Sequence, residues 1–122
     1  MSLHTCDAIV ICCIDFRFQK YIRNWTDINL ADKTFDLVGF AGVTKDLPIV
    51  LNQIDISVRL HHISEVDIIH HEECGAYGAE STPEKHVDEL HKAYQQIHTK
   101  YPDLTINLFY LKLDGTFVSV NP

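Results

Sequence analysis

Two short segments far apart in the chain carry the residues best suited to chemistry: Cys13-Ile14-Asp15-Phe16-Arg17 and His71-Glu72-Glu73-Cys74-Gly75. Two thiolates and one imidazole are the donors Zn²⁺ favours, in a tetrahedron whose fourth position stays open when the metal is catalytic. Each segment follows an apolar run that reads as a buried strand, Ala8–Cys13 and Val66–His71. If those strands lie side by side and parallel, Cys13, His71 and Cys74 meet at their carboxyl ends, where ligands bind in open α/β sheets. Neighbouring strand residues face opposite ways, so Cys12 cannot share an ion with Cys13, nor His70 with His71. The two-residue gap between His71 and Cys74 suits a tight turn onto one ion, and Gly75 is expected to let that turn close.

The elements that must position these groups alternate. After the first strand, Phe18–Ile28 reads as a helix with Tyr21, Ile22 and Trp25 on one side. Phe35–Phe40 reads as a second strand, and Pro48–His61 as a helix that tolerates Pro48 in its first turn. That helix carries Ile49, Val50, Leu51, Ile54, Ile56, Val58 and Leu60, apolar on more than one side, which predicts a second copy of the chain over its outer face. Val66–His71 is the third strand. Ser81-Thr82-Pro83-Glu84 is a helix start, with hydroxyl caps, an early proline and a glutamate near the positive end of the dipole. Val87, Leu90, Tyr94, Ile97 and Tyr101 then form one apolar stripe that Pro102 ends. Leu104–Leu113 is a fourth strand, Asp114-Gly115 a hairpin turn, and Thr116–Val120 an antiparallel return. The fold expected is α/β in three layers: about four parallel strands plus an antiparallel C-terminal edge strand, flanked by helices.

At 122 residues the chain is expected to form one domain spanning 1–122. A formal charge of −7 argues against a nucleic-acid partner, whose phosphates it would repel. No stretch approaches a membrane span, and Asp7 interrupts the weak apolar start where a leader would lie. Four cysteines without a secretory pattern suit a reducing, cytoplasmic setting. Cys6 and Cys12 read as small core residues, and His61, His62, His86, His91 and His98 as helix-end or border residues without chemistry.

The motifs resemble those of the β-class carbonic anhydrases. The family's Cys-x-Asp-Ser-Arg is matched by Cys13, Asp15 and Arg17, and its His-x-x-Cys-Gly by His71, Cys74 and Gly75. Tyr110–Gly115 is similar to the family's last hairpin, so the likeness covers most of the chain. The resemblance implies Zn²⁺ on Cys13, His71 and Cys74, a catalytic Asp15–Arg17 pair, a homodimer or higher homo-oligomer, and reversible hydration of CO₂ to bicarbonate by hydroxide on the metal. Asp15 would be a fourth zinc ligand in a closed state and would pair with Arg17 in an open one, in a pocket bounded by Phe16, Phe40 and Tyr77. His70 is a candidate proton shuttle. The chain departs from the family at Gly39-Phe40-Ala41-Gly42, where Arg-Asn-Ala-Gly is usual, at Phe16, at His70, and at Glu72-Glu73. Carboxylates facing the metal would raise the pKa of bound water. The departures keep two alternatives open: a non-catalytic zinc-binding protein, or a CS₂ or COS hydrolase on the same site.

Overall fold

The computed structural model describes residues 3–122. Strands β1 (Ala8–Cys12), β2 (Phe35–Gly39), β3 (Glu65–His71), β4 (Thr105–Leu111) and β5 (Phe117–Ser119) form one sheet in the order β2-β1-β3-β4-β5. The first three junctions in that order are parallel, and β5 returns antiparallel to β4 as the edge. Every residue of β1 and β3 is buried, as expected of central parallel strands covered on both faces.

Helices α1 (Gln19–Asn29), α2 (Leu47–His61) and α3 (Pro83–Lys100) complete the three layers. On one face Val50 and Ile54 of α2 and Leu90, Ala93 and Ile97 of α3 pack on Ile9, Ile11, Val66, Ile68 and Leu108. On the other, Phe18, Ile22 and Leu30 around α1 meet Val10, Cys12, Ile69 and Leu111. The α/β architecture is therefore the one the alternation predicts, with element ends moved by a residue or two.

Helix α3 starts where its sequence directs: the Thr82 hydroxyl accepts the Lys85 amide at 3.2 Å, and Pro83 occupies the first turn. Its buried line is His86, Leu90, Ala93 and Ile97, so the expected stripe is present but includes a histidine. Helix α2 buries Val50, Ile54 and Ser57, while Ile49 and Leu60 stay exposed on its outer side. A 3₁₀ turn over Val43–Asp46 leads into it.

Candidate metal centre

At the carboxyl edge of the sheet, Cys13 follows β1, His71 ends β3 and Cys74 lies three residues further on. Their donor atoms all fall within 4.8 Å of one another, and all three residues are buried. The site straddles the sheet end: Cys13 and Cys74 belong to the α2–α3 side, whereas the His71 ring packs on Phe18 of the α1 side at 4.2 Å between centroids.

Each donor is held by neighbours that suit a metal ligand. His71 Nδ1 lies 2.7 Å from the Glu72 carbonyl, so it carries the proton and donates, leaving the Nε2 lone pair free. That Nε2 is buried with no hydrogen-bond partner, a costly condition unless something else occupies the lone pair. Backbone amides of Gly42 and Asp15 support the Cys13 sulfur, and those of Ala76 and Tyr77 support Cys74. The hydrogen bond from Cys74 first, with the adjacent His71 ring and the two amides, outweighs burial and holds Cys13 well below the ordinary thiol range. Its partner Cys74, as the donor and itself buried, is pushed up. Cys13 is thus the sulfur favoured as a thiolate, and an ion sharing both would displace the Cys74 proton.

Gly42 is required on two counts. Its φ is +78°, and a Cβ there would meet the Ala76 Cβ at 2.9 Å. Gly75 has another role from the one its position suggests. The left-handed residue of the His71–Cys74 turn is Glu73, at φ +55°, whereas a Cβ on Gly75 would meet nothing within 4 Å. Gly75 instead borders an open cavity of about 250 Å³ with Cys13, Ile14, Asp15, Phe16, Ala41 and Ala76. Of the three aromatic residues expected at the pocket, only Phe16 lines it. Tyr77 is buried and packs against His70 and His86.

Asp15 is paired with Arg17. Arg17 Nη2 donates to Asp15 Oδ2 at 2.8 Å, Nε to Oδ1 at 3.2 Å, and the Arg17 amide to Oδ1 at 2.9 Å. Asp15 Oδ2 sits 4.0 Å from His71 Nε2. These bonds, against a smaller burial effect, keep the Asp15 carboxyl below the usual range. Glu72 and Glu73 do not crowd the donors. Glu72 accepts the Leu113 amide at 2.8 Å, and Glu73 takes Arg17 Nη1 at 3.1 Å while its carbonyl takes Nη2 at 3.0 Å. The Glu73 side chain is 64% exposed, so it braces Arg17 from the solvent side.

A buried polar chain behind Cys74 was not legible from the motifs. The Cys74 amide donates to Ser81 Oγ at 2.9 Å, and Ser81 Oγ bonds His86 Nε2 at 2.8 Å. His86 Nδ1 meets His70 Nδ1 at 2.8 Å, and His70 Nε2 meets Thr44 Oγ1 at 2.7 Å. Burial foremost, with His86 and then His71 nearby, drives His70 far below the usual imidazole range, and burial first pulls His86 down to about 4. Both rings are neutral, and this chain positions Cys74. The expectation of His70 as a proton shuttle fails here, because the ring is 1% exposed and packs on Tyr77 and His86, on the face opposite the one where His71 meets Phe18. Cys12 is a core residue as expected, whereas Cys6 is half-buried beside Asp36 and His61.

The fold matches solved structures. A carbonic anhydrase from Glaciozyma antarctica aligns with a TM-score of 0.72 at 15% identity, over 99% of this chain and 85% of that one. The β-carbonic anhydrase CafA of Aspergillus fumigatus aligns at 0.59 with 18% identity, over 98% and 77%. The architecture is thus that of a β-carbonic-anhydrase-like α/β protein. Residues 3–121 match the family described as "Putative carbonic anhydrase", and the chain belongs to that family. Uncharacterized proteins of Rickettsia conorii and Rickettsia bellii are 31% and 27% identical, over 93% and 98% of this chain and 72% and 84% of their own lengths.

Proposed function

We propose that Cys13, His71 and Cys74 hold Zn²⁺ and that the chain interconverts CO₂ and bicarbonate, with Asp15 and Arg17 as catalytic partners. One observation carries the reading: a buried imidazole nitrogen without a hydrogen-bond partner faces two sulfurs, while the nearest carboxylate is engaged by arginine. The ion, when bound, would supply a Lewis acid that lowers the pKa of coordinated water, as a three-histidine zinc site lowers it to about 7. This chain's residues do the rest. The Arg17 fork keeps Asp15 ionised and turned so that Oδ2, the oxygen nearer His71, accepts the hydrogen of the reacting water and orients its lone pair. Ile14, Phe16 and Ala41 give the adjoining cavity apolar walls suited to CO₂. The tautomer-fixing bond from His71 Nδ1 to the Glu72 carbonyl keeps Nε2 available as a ligand.

The outward turn of Glu72 and Glu73 favours catalysis over a purely structural zinc, because neither carboxylate adds charge among the donors. Ile49 and Leu60 on the outer side of α2 supply an apolar face for a homodimer. Four unpaired cysteines fit a reducing cytoplasm, and no helix of the described residues is long and apolar enough to cross a membrane. Stopped-flow CO₂ hydration by the zinc-loaded chain tests the activity, with Cys74→Ser as control. A rate above that control is expected, and equal rates would overturn the proposal. Sulfide release from CS₂ or COS, measured alongside, would reassign the substrate if it were the faster reaction.

A further inference from the structure

At the opposite, amino-terminal edge of the sheet a second group of ligand-type side chains comes together. Cys6 precedes β1, Asp36 is the second residue of β2, and His61 closes α2. Their donor atoms also lie within 4.8 Å of one another, and all three are half-buried. Three separate elements are pinned there by other bonds. The Cys6 amide donates to the His61 carbonyl at 3.0 Å, tying the segment before β1 to the end of α2. Ser57, on the buried face of α2, donates its hydroxyl to Asp36 Oδ2 at 2.6 Å, and His61 Nδ1 bonds the same oxygen at 2.7 Å.

We propose that Cys6, Asp36 and His61 form a second site for a divalent transition metal of the zinc class, distinct from the Cys13–His71–Cys74 centre. A thiolate with an imidazole and a carboxylate rules out Mg²⁺ or Ca²⁺, which prefer all-oxygen shells, and suits Zn²⁺ or Co²⁺. An ion pair alone would account for Asp36, His61 and Ser57. The Cys6 thiol donates to the Ala8 carbonyl at 3.5 Å, but neither that bond nor the ion pair requires a thiol, a poor hydrogen-bond donor, beside the carboxylate. Binding would release the Cys6 proton and turn His61 to its Nε2–H tautomer, freeing Nδ1, while Ser57 keeps its bond to Asp36 as an orienting partner. His4 lies beside the site, its ring 5.0 Å from the His61 ring. A cavity of about 260 Å³ bordered by Asp36, Ser57 and His61 gives an ion access from solvent.

Cobalt titration of the metal-stripped full chain tests this, followed by thiolate-to-cobalt charge-transfer absorption and by elemental analysis after dialysis. Cys6→Ser is expected to lower uptake by one equivalent relative to wild type. The double variant Cys13→Ser/Cys74→Ser, which leaves no thiolate at the first centre, is expected to retain a cobalt spectrum with a single thiolate, which separates this site from the first. Asp36→Asn keeps the side chain's shape and is expected to weaken the same equivalent by about ten-fold or more. Uptake and spectrum unchanged in Cys6→Ser would overturn the proposal. Should that variant misfold by circular dichroism, unchanged uptake by Asp36→Asn would overturn it equally.

Discussion

Replacing His86 with leucine tests the polar chain behind Cys74 and predicts a cost that depends on pH. The ring is fully buried and bonds both His70 and Ser81. Leucine fills most of its volume, so the loss lies mainly in the orphaned groups. His70 keeps Thr44 and Ser81 keeps the Cys74 amide, so each loses one partner of two. A buried polar group left short costs about 1–3 kcal/mol, which gives roughly 2–6 kcal/mol for the pair near neutral pH. The sign of the pH effect follows from His86 itself, whose folded pKa of about 4 lies below the ordinary 6.5. Between those values the unfolded chain binds a proton that the native one refuses, so wild-type stability falls as pH drops through that window. The variant lacks that loss, and its deficit should shrink by about 2–3 kcal/mol on acidification to about pH 4.5. Urea denaturation of both chains, metal-free and with chelator present, reads the two differences directly. The variant should also bind zinc about 10–100-fold more weakly, because Ser81 loses the ring that orients it on the Cys74 amide. A deficit below about 1 kcal/mol at neutral pH, or one that does not narrow in acid, would refute the reasoning.

Asp67 supplies the opposite slope: burial first, with Glu65 beside it, pushes its carboxyl up to about 8. The native state then holds a proton that the unfolded chain gives up, so stability falls as pH rises from about 4 towards 8; Asp67→Asn, which keeps an acceptor for Asn107, should gain roughly 2–4 kcal/mol relative to wild type over that range in urea titrations. Gly42→Ala places a Cβ 2.9 Å from that of Ala76 at a positive φ and should cost about 1–3 kcal/mol while weakening zinc, measured by thermal melts and metal titration. Arg17→Gln removes the fork from Asp15, which then competes for the open metal position; zinc content should hold while CO₂ hydration drops about ten-fold or more. Activity unchanged in that variant would remove Arg17 from the mechanism.

The strand tips were legible because continuous apolar runs ended in ligand-type residues, and parallel pairing then left Cys13 and His71 little choice of neighbour. Strand alternation also sorted Cys12 from Cys13 and His70 from His71 without further information. Glu72 and Glu73 were not legible, since a left-handed φ at Glu73 sends both side chains away from the donors and nothing in a non-glycine pair announces that turn. Ser81 read as a helix cap, but Thr82 caps α3 and leaves Ser81 for the Cys74 amide. His86 could have been found: the spacing His86, Leu90, Ala93, Ile97 puts it on the core face of α3, where a buried polar ring needs partners. Cys6, Asp36 and His61 come from three elements, and only the closed fold brings them together.

Zinc K-edge X-ray absorption on the chain loaded with one equivalent of metal addresses the central claim most directly. The account predicts two sulfur ligands at about 2.3 Å with nitrogen and oxygen completing the shell, and the loss of one sulfur in Cys74→Ser. A shell with one sulfur or none in the wild-type chain would contradict it.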